Sequence, residues 1–254
     1  MIAPLEVLRF SVGTLTAIPV TPPKSFGPDV TVPGIVVAPL AVAPLGALVA
    51  LVLWGGRELD LAPLAVAVTA IAALALASRA FHLDGLADTV DALTSSYDAE
   101  RSLEVMRRGD AGPAGAAALA LVLGIQAAAV AVVATSAWGP VLAGVLVCVS
   151  RGTATVMSLR GVPAARSTGL ASTYVGRVSL PLAGASWLVL TGVLAAVFVL
   201  DDQPWWRGVV CSAVALGATA WLIRRASRRF GGVAGDVYGA AIEVSLALML
   251  LAAT

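Results

Sequence analysis

Seven apolar stretches, at approximately 33–54, 61–80, 113–135, 139–159, 180–200, 207–223 and 237–253, dominate the chain. Each is near the length that crosses a hydrocarbon layer of roughly 30 Å at 1.5 Å per residue, with the last two at the short end. Only 12% of the 254 residues are charged, where a water-soluble domain carries about 25%. Lipid is the solvent that explains the missing charge. Inside lipid a spanning segment must satisfy its own backbone hydrogen bonds, so helix is required rather than merely favoured.

The expected fold is therefore all-α: a polytopic transmembrane helical bundle of about seven spans, preceded by a short N-terminal amphipathic helix. Abundant Ala and Gly suit close helix–helix approach in lipid. Pro39 and Pro44 fall inside the first stretch and should kink it. Met1 to Val20 is interrupted by Glu6 and Arg9 and followed by Pro22 and Pro23. It reads as a surface or re-entrant helix rather than a cleaved signal. No linker or internal repeat divides the chain, so residues 1–254 are expected to form one membrane domain. Cys148 and Cys211 both sit in apolar text and read as small buried hydrophobes. A net charge of +1 gives no polyanion-binding signature, so nucleic acid is not an expected partner.

Orientation follows the basic residues. Thirteen lie in the N-terminal segment and the loops near 79–112, 160–179 and 224–236, against only Arg57 and Arg207 near 55–60 and 201–207. The richer set is expected on the cytoplasmic side, with seven spans leaving the C-terminus outside.

The densest polar text runs from Arg79 to Asp91 (RAFHLDGLADTVD). Asp84, Asp88 and Asp91 are spaced four and three apart, which puts three carboxylates on one face of a helix. Like charges so placed repel by a few tenths of a kcal/mol per pair. A divalent cation is the simplest compensation, and hard oxygen donors suit Mg²⁺ or Mn²⁺ rather than zinc. Mg²⁺ is usually held by one or two carboxylates plus substrate phosphates, which implies a phosphorylated substrate. His82, the only histidine, is a candidate phosphate contact or general base. A solvated acidic face is the bland alternative.

Arg107, Arg108 and Asp110 precede a Gly109, Gly112, Gly115 run that opens a helix at Pro113. Such glycines let backbone N–H groups approach an anion. A plain loop-to-helix junction would look the same. Arg228 and Arg229 lead into a second glycine turn containing Gly232 and Gly235, followed by Asp236. This segment reads as a phosphate cradle with a further metal ligand, or as positive-inside anchoring. Glu243 lies seven residues after Asp236, on the same helix face and roughly 10 Å deeper. A carboxylate inside a span usually marks function or a paired charge, and Arg151 is the natural partner.

These segments resemble a known family. The runs Phe81 to Asp91, Val149 to Ala154 (VSRGTA) and Gly231 to Glu243 (GGVAGDVYGAAIE) are similar to the motifs of cobalamin synthases, the adenosylcobinamide-GDP ribazoletransferases. Pro33 to Leu40 and Met106 to Gly112 resemble further blocks of that family, in the same order. The resemblance implies an inner-membrane transferase late in vitamin B12 assembly. Its substrates would be adenosylcobinamide-GDP and α-ribazole or α-ribazole 5′-phosphate, with GMP released and Mg²⁺ as cofactor. It leaves room for a homo-oligomer.

Under that resemblance Asp84, Asp88 and Asp236 are the expected metal ligands, and Asp91 and His82 the catalytic candidates. Arg107, Arg108, Asp110, Arg151, Arg228, Arg229, Gly232, Gly235 and Glu243 are expected to contact substrate. The sequence departs from the family at Ala92, Ala234, Tyr238 and Leu246, where Gly, Thr, Leu and an acidic residue are common. None of these departures touches Asp84, Asp88 or Asp91.

Two rival readings remain at this point. A CDP-alcohol phosphotransferase shares spaced aspartates beside membrane helices, but its full aspartate pattern is missing here. A transporter would use Arg151 and Glu243 as midplane charges and would predict internal symmetry, which the sequence does not show.

Overall fold

The computed structural model of the chain describes residues 4–95, 98–109 and 111–254. Its elements are α1 (Pro4–Leu15), α2 (Pro28–Val36), α3 (Ala38–Ala41), α4 (Ala43–Glu58), α5 (Pro63–Ala77), α6 (Phe81–Ser95), α7 (Ala99–Arg108), α8 (Pro113–Val133), α9 (Gly139–Ser150) and α10 (Thr153–Met157). A 3₁₀ turn at Leu170–Thr173 precedes α11 (Leu180–Leu200), α12 (Trp206–Phe230) and α13 (Gly235–Ala252). The all-α membrane bundle expected from the apolar stretches is what the chain forms.

The span count is lower than the apolar stretches suggested. Among the described residues, five helical segments are long and apolar enough to cross a membrane by themselves: Pro113–Val133, Gly139–Met157, Leu180–Leu200, Trp206–Phe230 and Gly235–Ala252. The sixth candidate, α5 with α6, is broken by a 91° bend. The first stretch does more than kink. It is cut into α2, α3 and α4, with Pro39 and Pro44 at the first turns of α3 and α4. A proline lacks the N–H a helix interior needs and tolerates a first turn, so each one starts a new helix.

The bend after α5 has a backbone cause. Arg79 and Ala80 are both left-handed, at φ 58° and 52°, a conformation that non-glycine residues rarely adopt. Neighbouring elements hold it: Arg79 Nη2 donates to Gly13 O at 2.7 Å, and Ala17 N donates to Ala77 O at 2.6 Å. α1, whose Val7, Phe10 and Leu15 are buried while Leu5 and Leu8 are exposed, is thus fixed against the break.

The loops sort to two ends. Arg57 Nη1 donates to Ser136 O at 2.9 Å and Trp138 N to Asp201 Oδ1 at 2.8 Å, joining three interhelical turns at one end. Thr254 lies there too, beside Ser136 and Asp201. At the other end Arg166 Nη2 donates to Leu103 O at 2.9 Å, Arg229 Nη2 to Leu93 O at 2.7 Å, and Val233 N to Pro163 O at 2.8 Å. The arginine-rich loops therefore share one face of the bundle, as their sequence distribution suggested. One buried apolar cluster centres on α4, α5, α8 and α9, and a second joins α12 and the start of α13 to the arginine-rich end.

Candidate active site

α6 and α13 cross with their backbones in contact. A methyl group added at Gly239 would sit 2.7 Å from His82 O and 3.2 Å from Gly85 Cα, and one added at Gly85 would sit 2.6 Å from Asp236 O. Only glycine permits that approach. The crossing brings the α6 acids to the first turn of α13, so that Asp84 and Asp236 both lie within electrostatic reach of Asp88. Asp84 is exposed, Asp236 half-buried and Asp88 buried. Among the described residues, Asp84 and Asp88 accept no hydrogen bond and enter no ion pair. Arg166 is the basic group that acts on Asp236. Neither Gly85 nor Gly239 stood out in the sequence as a site residue. A glycine after an aspartate and another within an apolar helix were the available signals.

Asp91 has a different place. Its Oδ2 accepts from Gly112 N at 2.7 Å and its Oδ1 from Gly115 N at 2.9 Å. The first turn of α8 does bind an anion, as the glycine run suggested, and that anion is the protein's own Asp91. Gly112 and Gly115 are small because any side chain there would strike this carboxylate. With both oxygens committed, Asp91 anchors α6 to α8.

Below the acids, the arginine and glutamate of the spans meet. Arg151, 0% exposed, faces Glu243 Oε1 at 3.9 Å, and its Nη1 donates to Ser150 Oγ at 2.8 Å and Val147 O at 3.0 Å. Gln126 Nε2 donates to Glu243 Oε2 at 2.9 Å. His82 completes the cluster, with Nδ1 at 3.4 Å from Arg151 Nη2 and 3.9 Å from Glu243 Oε1. The partnership expected of Arg151 and Glu243 is present, at the long edge of an ion pair. Gln126 is a member that sequence reading missed, since one amide in an apolar helix carries no motif.

The remaining expected contacts divide. Arg229 spends Nη2 on the C-terminal turn of α6, capping it through Leu93 O. Arg108 pairs with Glu104 at 2.9 Å, and Arg107 and Arg228 are exposed. Gly232 is not an open cradle. A side chain there would meet the backbone of 163–165, at 2.5 Å from Ala164 C, so this glycine makes room for that strand-like contact. Gly235 is exposed at the first turn of α13, which has no side-chain cap. Asp110 lies outside the described residues.

Beside Asp236 opens a cavity of about 220 Å³, walled by α1, α2, α6, α13 and the 166–174 segment. Phe10, Leu15, Ile35 and Ile242 supply apolar wall, with His82 and Tyr238 among its polar groups. Tyr174, also lining it, stacks edge-on against Tyr238 at 5.3 Å, and burial pushes the Tyr174 hydroxyl pKa up.

Among the described residues, no group of three or more His, Cys, Asp or Glu side chains is close enough to hold a metal unaided. The donor set nevertheless fits a hard divalent ion that brings further ligands with it. Asp84 and Asp88 are bare carboxylates beside a third, and Mg²⁺ commonly takes only one or two protein carboxylates plus phosphate oxygens.

A family model described as Cobalamin-5-phosphate synthase matches residues 7–254. A protein of Nocardioides sp. named Adenosylcobinamide-GDP ribazoletransferase is 47% identical over 247 residues, covering 97% of this chain and 97% of its own. Proteins of the same name from Escherichia coli O17:K52:H18 and Shigella boydii serotype 18 are each 36% identical over 221 residues, covering 86% of both chains. No solved structure matches the chain. Neither rival reading, phospholipid phosphotransferase or transporter, gains support from these matches.

Proposed function

The chain belongs to the cobalamin-5-phosphate synthase family, and from that premise we propose how its residues perform the reaction its relatives are named for. It is an adenosylcobinamide-GDP ribazoletransferase of cobalamin synthesis. In that reaction a hydroxyl of α-ribazole, or of its 5′-phosphate, attacks the phosphate attached to cobinamide. The bond to GMP breaks, GMP carries away the electron pair, and the hydroxyl proton is lost. One domain covering the whole chain does this work, and the family match over 7–254 supports that reading.

The observation that carries the site assignment is the convergence of Asp84, Asp88 and Asp236 from two helices at the arginine-rich end, with no cation paired to Asp84 or Asp88 among the described residues. One or two of these carboxylates would hold Mg²⁺, with phosphate oxygens of the substrate supplying further ligands. When bound, such an ion neutralises a diphosphate and stabilises the charge that develops on it. The protein's own contributions are separate. The Gly85–Gly239 crossing fixes the distance between the acids of α6 and α13. Asp91 locks the far half of α6 onto α8. Arg166, held by Leu103 O beside Asp236, and exposed Arg107 and Arg228 offer guanidinium groups to phosphate oxygens.

His82 suits binding better than proton abstraction. Arg151 can only donate, so a hydrogen bond between them makes Nδ1 the acceptor and leaves the proton on Nε2. The hydroxyl proton then passes to a carboxylate of the trio or to water.

The thirteen-to-two split of basic residues supports placing this end at the cytoplasmic face of the inner membrane. The test is an assay in liposomes with cobinamide-GDP and α-ribazole 5′-phosphate, with Mg²⁺ present or chelated. GMP and a corrinoid product should form only with the metal. Equal turnover in both arms removes the metal assignment, and no GMP in either removes the activity.

A further inference from the structure

The face of α2 turned away from the active-site cavity carries two recesses, one below the other. Asp29 and Pro33 line the first, Val36 and Leu40 the second. Val37 N donates to Pro33 O at 3.0 Å and Ala41 N to Val37 O at 2.9 Å, so helical bonding runs on from α2 into α3. Steps of four, three and four residues then put all four side chains on one stripe. From Asp29 to Leu40 that stripe is about 17 Å long at 1.5 Å per residue. The hydrocarbon of one leaflet is roughly 15 Å, half of a 30 Å core. Gly34 and Ile35, on the other face of α2, wall the cavity beside Asp236, so the recesses are separate from the acidic site.

The deeper recess is a groove of about 580 Å³ between α3 and the spans Gly139–Met157 and Leu180–Leu200. Its two hydroxyls are occupied by their own helices. Thr155 Oγ1 donates to Gly152 O at 2.8 Å and Ser186 Oγ to Leu182 O at 2.9 Å. A polar occupant would go unpaired there, so the groove suits hydrocarbon. The recess above it, about 540 Å³, is charged. Arg160 follows one of the two spans by three residues and Arg177 precedes the other by three. Backbone bonds tie these ends together: Arg160 N donates to Val178 O at 2.8 Å and Val178 N to Ser158 O at 2.8 Å. Both arginine side chains are exposed, and neither makes a hydrogen bond or ion pair among the described residues. Asp29 lines the same recess, so two positive charges face one negative.

We infer that the two recesses form one binding site for an anionic phospholipid of the leaflet at the arginine-rich end, its phosphate between Arg160 and Arg177 and one acyl chain in the groove. A basic pocket between helix ends, directly above an apolar furrow about one leaflet deep, complements both halves of such a lipid. A soluble phosphate would leave the groove uncovered. A second copy of the chain seated on the groove would have to bury both arginines, which is costly unless each finds a partner. The inference rests on the bundle lying in a membrane and is independent of the transferase reading.

The experiment uses full-length protein in a neutral detergent, titrated with phosphatidylglycerol or with phosphatidylcholine of the same chains. Native mass spectrometry counts the lipids bound per chain and the copies per particle. An interfacial arginine is worth roughly fivefold toward an anionic lipid, and Asp29 offsets part of the pair, so the wild type should bind one phosphatidylglycerol about tenfold more tightly than phosphatidylcholine. Arg160→Gln with Arg177→Gln should remove the preference, and Arg160→Lys with Arg177→Lys, which keeps both charges, should retain most of it. Ala185→Trp, which fills the groove from an exposed position, should weaken both lipids by about fivefold or more. Melting temperatures check that each variant folds. Should the glutamine pair fail to fold, the same loss of preference is read from the wild type in about 1 M ammonium acetate, where charges are screened. Equal wild-type affinity for the two lipids, or a preference that survives removal or screening of both charges, would overturn the assignment. So would unchanged binding by Ala185→Trp, competition by glycerol phosphate as effective as that of the lipid, or a dimer that excludes lipid and is broken by Ala185→Trp.

Discussion

Gly85 and Gly239 lie backbone to backbone where α6 crosses α13, close enough that a methyl on Gly239 would sit 3.2 Å from Gly85 Cα. The whole acidic site depends on that approach, because it sets Asp236 beside Asp84 and Asp88. Gly239→Ala should force the helices apart. Overpacking costs about 1–3 kcal/mol, so a lowered melting temperature in detergent is expected together with a larger loss of GMP release. Full activity in a stable Gly239→Ala protein would show that the separation does not matter.

Asp84→Asn and Asp88→Asn should behave oppositely in stability and in rate. Each removes one of several mutually repelling carboxylates, so melting temperature should hold or rise. Each also removes a proposed metal ligand, so turnover at limiting Mg²⁺ should fall by about tenfold or more and be partly restored by raising Mg²⁺. Melting and Mg²⁺ titration on the same preparations check both halves.

Asp91→Ala should lose stability first. It withdraws two charge-assisted acceptors from the first turn of α8, an N-terminal cap typically worth about 0.5–2 kcal/mol. Mg²⁺ dependence should be unchanged in the protein that stays folded. A shifted Mg²⁺ requirement with an unaltered melting point would return Asp91 to the metal site.

Arg151→Ala leaves Glu243 buried in a span, with Gln126 and His82 as its remaining polar side-chain partners among the described residues. Breaking a buried charge pair costs about 3–5 kcal/mol. Adding Glu243→Gln should recover much of that loss. A double-mutant cycle read by unfolding in detergent measures the coupling, and simple additivity would mean the 3.9 Å pairing contributes nothing.

Sidedness is open to direct labelling. Single cysteines replacing Ser167 and Gln203, in a background lacking Cys148 and Cys211, should react with an impermeant reagent from opposite faces, Ser167→Cys from the cytoplasm. Labelling of both from one face would contradict the separation of the loops.

What the sequence determined by itself was the solvent, the helical class of the fold and, through its motifs, the reaction. Apolar length forces helix in lipid because no other local structure satisfies its own backbone there. Asp84, Asp88 and Asp236, Arg151 and Glu243, and the family motifs were all visible as residue types that lipid-facing helices do not carry without cause. The tertiary structure decided their partners. Spacing put three aspartates on one helix face, yet Asp91, expected as a catalytic candidate, turns to the amides of Gly112 and Gly115 while Asp84 and Asp88 accept no hydrogen bond among the described residues. The stretch read as 61–80 ends in a left-handed turn at Arg79 and Ala80, and the bend into α6 puts His82 beside Arg151. Local spacing sets which face of a helix a side chain occupies. Which neighbour meets that face is set by long-range packing of backbones, here at glycines whose role shows only once two helices touch.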